Sequence, residues 1–455
     1  MKASQFIAVV LPLLAGVELT GLATSKVQAD LLVPSVGTGP EPVAAVKRYN
    51  GVTGEFVGDF VTGPTMGFPH LGVFGPDGNL YVFDVGLPGN SGVWRYNGKT
   101  GSLIGRYIDM TEFNSFDDMT FGPDGHFYAV HMGGIKRFDG KTGALIDEFV
   151  PVGRGGLGWA YSLVFGPDGN LYTYDGSDTT VKRYSGTTGE FIDVFVPQGW
   201  LVGLVRLTFR CDGNLYALPT GYSNIVQVRR FNGKTGEFID DFVLDPSLYG
   251  IAFTFAPDGD LYIVAYDGEG QKVVARYDGV TGESKGDFVA RGSFTPSAPA
   301  FVTFMPANGI MTGAGSLGDL PQLPSFEAQL FSFQVLASKG KVRGQLRAIL
   351  LEIQDRELEV KVFSSTAITS AAFWDDPAIK PGSTSPPTRD TMAFCGKGEV
   401  DGNEVTFEAR VSDAGEPGAL RDRFRLTIWS PGEIGPVDTL GGPITAGNIQ
   451  SVAEW

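Results

Sequence analysis

The sequence is poor in residues that commonly carry chemistry or bind nucleic acid. Of its 455 residues only three are histidine and two are cysteine, and 35 Lys and Arg stand against 51 Asp and Glu, for a net charge of −16 at pH 7. Proteins that bind nucleic acid neutralise phosphates with clustered basic side chains. The acidic balance therefore argues against a nucleic-acid partner.

Signature motifs of common enzymes are also absent. The sequence contains no HExxH, no GxSxG, no Walker loop and no paired-cysteine zinc pattern, so local motifs assign no reaction. The two cysteines, Cys211 and Cys395, lie far apart. Outside the cytoplasm they can form one disulfide, and two unpaired thiols stay equally open.

Long apolar runs are missing except at the start. Lys2 precedes an apolar run from Phe6 to Val17, and Val27-Gln28-Ala29 has the small residues that a signal peptidase reads. A membrane anchor would need about 20 apolar residues. Residues 1–29 are therefore predicted to be a signal peptide, with the mature protein secreted (extracellular, periplasmic or at the cell surface) and no transmembrane span.

Two motifs alternate along the chain. The first, of the type VKRYNGVTGEFVGDFV, places a turn glycine at intervals of roughly 42 to 47 residues, which marks a repeat array. Its glycines are Gly51, Gly98, Gly140, Gly186, Gly233 and Gly279. The second, of the type FGPDGNLYV, begins at Phe74, Phe121, Phe165, Phe209, Phe255 and, in a worn copy, Phe304.

Each motif predicts a β-hairpin, because alternating apolar and polar residues flank a glycine-containing turn. One period then holds four short antiparallel strands, which is one propeller blade. The array opens with the hairpin Val46 to Val61 and ends with the hairpin Phe301 to Thr312. We predict an all-β, six-bladed β-propeller over residues 46–315, closed by pairing these N- and C-terminal hairpins, with 30–45 as a lead-in.

A recurring arginine precedes the aromatic residue of each predicted third strand. In four units a glutamate follows seven residues later (Glu55, Glu190, Glu237 and Glu283), and the hairpin predicts Arg–Glu pairs worth at most about 1 kcal/mol. We interpret these arginines as structural.

The remainder of the chain has a different texture. Residues 316–325 are predicted to be a linker, and 326–455 alternate as strands of a C-terminal antiparallel β-sandwich or small open barrel, with a loop at 377–391. Asp413, Glu416 and Asp422 can be read as calcium ligands. Their spacing fits no known calcium motif, and turn formation is the interpretation we favour.

Variable loops on one face of the propeller are the expected place for binding, since its other face carries uniform turns. The candidate residues around the channel on that face are His70, Asp84, Asp117, Asp118, His131, Tyr161, Ser162, Asp175 and Arg206. Imidazole and carboxylate groups such as these bind divalent metals (Ca, Mg or Zn). The alternative is that they cap strand ends and bind loop backbone.

The blade pattern GPDGNLYV followed by VxRYNGxTGEFxxxFV resembles the NHL-repeat propellers of exported bacterial proteins. Propellers of related shape include lactonases of the SMP-30/gluconolactonase type and streptogramin lyases, which implies a metal and acid/base groups at the channel mouth. The inner-strand glutamate of the lactonases has no counterpart here, and the lyases resemble seven-bladed arrays. The run from GKGEVDGNEVTFEARVSD to GGPITAGNIQ resembles the post-choice-of-anchor type of C-terminal β domain.

Two classes of function follow. The preferred one is a secreted, noncatalytic binding, adhesion or scaffold protein whose variable-loop face binds an extracellular protein, peptide or glycan, with no cofactor expected. The alternative is a metal-dependent lactonase- or esterase-like hydrolase or lyase at the channel mouth, with His70, Asp84, Asp118 and His131 as its candidate residues.

Overall fold

A computed structural model describes most of the chain. The described residues are 30–36, 44–63, 66–85, 91–110, 116–220, 225–256, 258–293, 301–306, 309–317, 326–338, 341–354, 357–374, 391–414, 422–430 and 438–452. The predicted signal peptide, residues 318–325 of the predicted linker, residues 377–390 of the predicted loop, and Glu416 lie outside these ranges.

The described strands form six four-stranded antiparallel sheets and one closed eight-stranded sheet, so the all-β six-bladed propeller is confirmed. Blade 1 contains β4 (Pro69–Phe74), β5 (Leu80–Asp84), β6 (Gly92–Tyr96) and β7 (Leu103–Asp109). Blade 2 contains β8 (Asp118–Phe121), β9 (Phe127–His131), β10 (Gly134–Phe138) and β11 (Leu145–Val150). Blade 3 contains β12 (Ala160–Phe165), β13 (Leu171–Asp175), β14 (Thr180–Tyr184) and β15 (Phe191–Val196).

Blades 4 and 5 continue the same order. Blade 4 contains β16 (Leu204–Phe209), β17 (Leu215–Thr220), β18 (Val226–Phe231) and β19 (Phe238–Asp245). Blade 5 contains β20 (Leu248–Phe255), β21 (Leu261–Asp267), β22 (Lys272–Tyr277) and β23 (Ser284–Val289). The first strands of neighbouring blades contact one another, so they are the innermost strands.

The sixth blade joins the two ends of the array, but with a different division of strands from the predicted pair of hairpins. It contains β24 (Thr303–Phe304) from the end of the array and β1 (Leu31–Val36), β2 (Ala44–Tyr49) and β3 (Phe56–Thr62) from its start, in the order β24-β1-β2-β3. Part of the predicted lead-in is therefore a blade strand. Residues 309–312 belong instead to the eight-stranded sheet.

Leu31–Val36 form the second strand of the sixth blade because they supply the same contacts as the second strand of blade 1. Leu31 pairs with Phe304 and with Tyr49, as Leu80 pairs with Phe74 and Tyr96 in blade 1. Asp30 also takes the place of Asn79, because its side chain accepts a hydrogen bond from the N–H of a turn glycine, Gly51. Asp-Leu-Leu-Val at 30–33 is thus a copy of the motif Asn-Leu-Tyr-Val.

In blades 1 to 5 a buried tyrosine on the second strand joins the blade to the next. The ring of Tyr81 meets Phe121 of the next blade edge-on at 4.9 Å and Tyr107 of its own blade at 4.7 Å. The same inter-blade contact recurs at 4.9–5.0 Å in the pairs Tyr128–Phe165, Tyr172–Phe209, Tyr216–Phe255 and Tyr262–Phe304. Each edge-to-face pair contributes about 0.5–1.5 kcal/mol beyond the burial of its surface.

The arginines of the four predicted Arg–Glu pairs contact aspartates instead, so those pairs are wrong. Arg137, Arg183 and Arg230 each donate to an aspartate ten residues on, namely Asp147, Asp193 and Asp240. A register shift between the third and fourth strands places the aspartate opposite the arginine. The two-residue alternation of side chains along a strand does not reveal such a register shift.

The second compact unit is an antiparallel eight-stranded sheet that closes on itself. Its strands are β25 (Gly309–Leu317), β26 (Phe326–Ser338), β27 (Lys341–Gln354), β28 (Glu357–Trp374), β29 (Thr391–Val400), β30 (Asn403–Ser412), β31 (Arg423–Trp429) and β32 (Asp438–Val452). β25 pairs with β32 and closes the sheet. Phenylalanines fill the interior, with Phe331 stacked on Phe424 at 4.0 Å.

In this barrel the buried Asp422 binds backbone amides, since its carboxylate accepts hydrogen bonds from the N–H groups of Ala414 and Ile449, each at 2.9 Å. This supports a structural role for Asp422. Both cysteines of the chain are disulfide-bonded. Within the described part of the chain, no helix is long and apolar enough to span a membrane.

We predict that Leu32→Ala, in β1, lowers the free energy of unfolding by about 2–5 kcal/mol, because Leu32 is fully buried in the closing blade. Chemical denaturation measures this change. Val280→Ala, at an exposed side chain, is the control and should cost under about 0.5 kcal/mol. Equal stability of Leu32→Ala and wild type would contradict closure through β1.

We also predict that the denatured protein shows no free thiol without reductant and two after reduction, because both Cys211 and Cys395 are disulfide-bonded. Thiol titration in denaturant measures this. Two reactive thiols in protein purified from an oxidising compartment would contradict the bond.

Candidate binding site at the channel mouth

The innermost strands carry β-bulges at one level of the propeller. In β4, β12 and β20 the register shifts at His70, Tyr161 and Ile251. The strand of blade 2 behaves alike, because the N–H of Asp117 donates to the carbonyl of Val130, the residue paired with Asp118. Bulges re-aim side chains and are frequent beside functional sites. His70, Asp117 and Tyr161 thus occupy equivalent places in consecutive blades.

Arg206 connects blade 4 to blade 2 across this level. Its Nη1 donates to the backbone oxygen of Asp117 at 3.0 Å and lies 3.6 Å from Oδ1 of Asp118. Oδ2 of Asp118 accepts the N–H of Leu163 in blade 3 at 3.0 Å. Residues of three blades therefore meet here.

His70 lies close enough to Arg206 for the charge of the guanidinium group to affect its pKa. Burial, and to a smaller extent the positive charge of Arg206, together lower the pKa of His70 to about 4. Its Nδ1 is buried and has no hydrogen-bond partner among the described residues. His70 is consequently neutral at physiological pH.

The pKa values of the two neighbouring carboxyl groups are raised rather than lowered. Burial raises the pKa of Asp117, Arg206 opposes that change, and the charge of Asp118 adds to it. Burial likewise raises the pKa of Asp118, against Arg206 and the N–H groups of Leu163 and Met119. The site therefore combines a neutral imidazole, one guanidinium group and two carboxyl groups with reduced acidity.

Asp84 and Asp175 have a different role at the rim. The buried carboxylate of Asp84 accepts the consecutive N–H groups of Gly67 and Phe68 at 2.8 and 2.7 Å. Asp175 accepts those of Gly158 and Trp159, both at 2.9 Å. These two candidates thus hold the loops that enter blades 1 and 3.

A buried lysine completes the second of these clusters. Nζ of Lys182 contacts Asp175 and Asp178, each at 2.5 Å, and donates to the carbonyl of Gly156 at 3.3 Å. Burial pushes the pKa of Asp175 upward, but the hydrogen bonds from Lys182 and the loop N–H groups outweigh it and lower the pKa.

The remaining candidates differ in access. Tyr161 is half-buried, and its ring lies 6.4 Å from that of Trp159. Ser162 has no exposed surface, and its hydroxyl has no hydrogen-bond partner among the described residues. The largely buried His131 has its pKa lowered by burial and by Lys136, while Glu148 raises it.

The carboxylates at the rim are poor candidates for metal binding. Those of Asp84, Asp118 and Asp175 already accept backbone N–H groups. Among the described residues, no group of three or more His, Cys, Asp and Glu side chains is arranged to hold a metal ion. The residues present therefore do not fit the metal that the related propellers imply.

Sequence reasoning missed two exposed aromatic residues beside this level. Phe68 is 52% exposed and Trp159 is 42% exposed. Each stands two residues before a bulge residue, in Phe68-Pro69-His70 and Trp159-Ala160-Tyr161. The sequence signal for these residues is an aromatic side chain two positions before the bulge residue, in a loop outside the repeated motif.

No protein-family model matches the chain. No curated protein matches its sequence. In structure the chain is similar to a protein of unknown function from Bacteroides caccae, with 14% identity, coverage of 61% of this chain and 99% of the other, and a TM-score of 0.46.

Other similar structures have printed functions. A Bacteroides uniformis protein, provisionally described as a 6-phosphogluconolactonase, is 19% identical over 60% of this chain and 87% of its own, with a TM-score of 0.41. Virginiamycin B lyase from Staphylococcus aureus is 14% identical over 61% and 83%, with a TM-score of 0.36. At these scores the similarities carry no inference about the function of this chain.

We predict that His70 titrates with a midpoint near pH 4 and that Arg206→Ala raises this midpoint, because a neighbouring positive charge is removed. NMR of the imidazole resonances measures it, and only three histidines need assignment. Arg229→Ala, on β18 of the same blade as Arg206, is the control. An unchanged midpoint in Arg206→Ala would contradict the coupling.

The lowered pKa of His70 also makes the stability of the fold depend on pH. His70 has a folded pKa near 4 and an ordinary value of 6.5, so the unfolded chain binds the proton more readily. Its contribution to stability is therefore complete above pH 6.5 and is lost as the pH falls from 6.5 towards 4.

Proposed function

We propose that this protein is an exported, noncatalytic binding protein whose propeller binds its partner at the channel mouth and on the surrounding variable loops. The observation that carries the proposal is the meeting of polar groups from three blades, since Arg206 contacts Asp117 and Asp118 and its charge lowers the pKa of His70. Two of these residues, His70 and Asp117, lie at bulges, which re-aim side chains and are frequent beside functional sites.

Unsatisfied polar groups support a ligand at this place. Nδ1 of His70 is buried without a hydrogen-bond partner among the described residues, and both described contacts of Arg206 use Nη1 alone. Buried polar groups are normally paired, and a missing partner indicates a water or a ligand.

Export is the second part of the proposal. The first 29 residues have the composition of a signal peptide, and both cysteines are disulfide-bonded, as in proteins of oxidising compartments. The NHL-type blade pattern and the resemblance of the C-terminal domain to the post-choice-of-anchor type fit an exported protein. The expected partner is an extracellular protein, peptide or glycan.

The alternative is a hydrolase or lyase at the same place. The observation that favours it is the opposite displacement of the pKa values of His70 and Asp117 beside Arg206, which is how acid and base roles are separated in active sites. The metal-dependent form has less support, since the rim carboxylates already bind loop N–H groups.

Elemental mass spectrometry on protein purified without chelator and then dialysed tests the choice. We predict less than about 0.1 divalent ion per chain, because Asp118 and Asp84 use their oxygens to bind backbone. The comparison variant is His131→Ala, whose metal content should be the same. About one ion per wild-type chain, lost in His131→Ala or Asp118→Asn, would favour the metal-dependent enzyme and call for lactone and ester assays.

A further inference from the structure

Blades 1 and 3 present an exposed aromatic residue by the same set of hydrogen bonds. In blade 1 the N–H of Phe68 donates to Asp84 at 2.7 Å, and the carbonyl of Phe68 accepts the N–H of Val85 at 3.1 Å. In blade 3 the N–H of Trp159 donates to Asp175 at 2.9 Å, and its carbonyl accepts the N–H of Gly176 at 2.9 Å. The backbone of each aromatic residue is thus held on both sides.

An aspartate occupies this position in only two of the six blades, since the corresponding residue of the sixth blade is Ser35. Asp84 and Asp175 each stand ten residues after the phenylalanine of the second motif, and the corresponding residues of blades 2, 4 and 5 are His131, Pro219 and Ala265. A requirement of the fold would recur in every blade. Because the aspartate occurs in two blades alone, its role is to position the aromatic residue of the loop rather than to stabilise the blade.

The two aromatic residues belong to the blades on either side of blade 2, which contributes Asp117 and Asp118. Phe68 stands two residues before His70 on the innermost strand of blade 1. A ligand that contacts the polar cluster and the two loops before it would meet two apolar ring surfaces together with an imidazole, carboxyl groups and a guanidinium group. Hydrogen-bond donors and acceptors are both present.

This combination fits the ring of a carbohydrate. A sugar ring has apolar C–H faces, which pack on aromatic rings, and hydroxyl groups at its edge, which both donate and accept hydrogen bonds. A purely apolar ligand would leave the polar groups unpaired, which is costly.

We infer that Phe68 and Trp159 are the stacking surfaces of a carbohydrate-binding site, and that Asp84 and Asp175 are positioning residues for them. This inference rests on the proposed function, because it names the ligand class for the same channel-mouth site.

The test begins with a glycan array of neutral hexoses, N-acetylhexosamines and uronic acids, as mono- and oligosaccharides of both anomeric linkages. The strongest binder is then titrated by calorimetry. Phe68→Ala and Trp159→Ala should each weaken binding at least about tenfold. The matched controls are Phe56→Ala, at a phenylalanine 54% exposed on β3, and Trp200→Ala, whose ring is 38% exposed and stacks on Phe238 at 4.3 Å. Both should bind like wild type.

Positioning is tested by a double-mutant cycle with Asp84→Asn, in which the amide leaves one backbone N–H without its acceptor. Asp84→Asn should weaken binding several-fold at a temperature well below its melting point. Combined with Phe68→Ala it should weaken binding no further than Phe68→Ala alone, because the ring that it positions is gone. Additive losses would overturn the positioning role.

The remaining outcomes separate the two proposals. Carbohydrate binding that is unaffected by Phe68→Ala and Trp159→Ala would overturn the stacking inference. Binding of peptides from a displayed library, dependent on His70 and Arg206, with no response on the array, would overturn the carbohydrate class and support the proposed function. No response in either screen from folded, disulfide-bonded protein would overturn both.

Discussion

The propeller depends on one contact that is repeated from blade to blade. A tyrosine on the second strand is buried against its own fourth strand and meets, edge-on, the phenylalanine that begins the turn of the next blade. Its hydroxyl donates a hydrogen bond to the aspartate in the corresponding turn of its own blade, as Tyr172 does to Asp168 at 2.9 Å. One side chain therefore joins packing within a blade, packing between blades and the conformation of a turn.

The turns are constrained by the same geometry. A Cβ on Gly98 would lie 1.8 Å from the backbone oxygen of Gly78, and one on Gly233 would lie 1.6 Å from that of Gly213. No side chain fits at such a distance, which explains why the first motif keeps glycine here. With the turns on one face held this way, variation in length and composition is confined to the connections on the other face.

That division lets a repetitive scaffold carry a site that does not repeat. Bulges on the innermost strands place His70, Asp117 and Tyr161 at one level, Arg206 connects two blades across it, and aspartates specific to two blades hold exposed aromatic residues at its rim. The polar groups that most resemble metal ligands in the sequence serve the loops instead. Among the described residues, Nδ1 of His70 has no hydrogen-bond partner.

The all-β class, the number of blades and the structural arginines can be predicted from the sequence, because the two motifs repeat at a fixed period and each encodes a hairpin. The sequence did not reveal that Leu31–Val36 form the second strand of the closing blade, since the single copy of the motif at 30–33 lacks the turn that marks the others. The bulges, the Arg–Asp register and the contact between Arg206 and blade 2 came only from the tertiary structure. They arise from strand twist and from residues up to 89 positions apart, which no local pattern encodes.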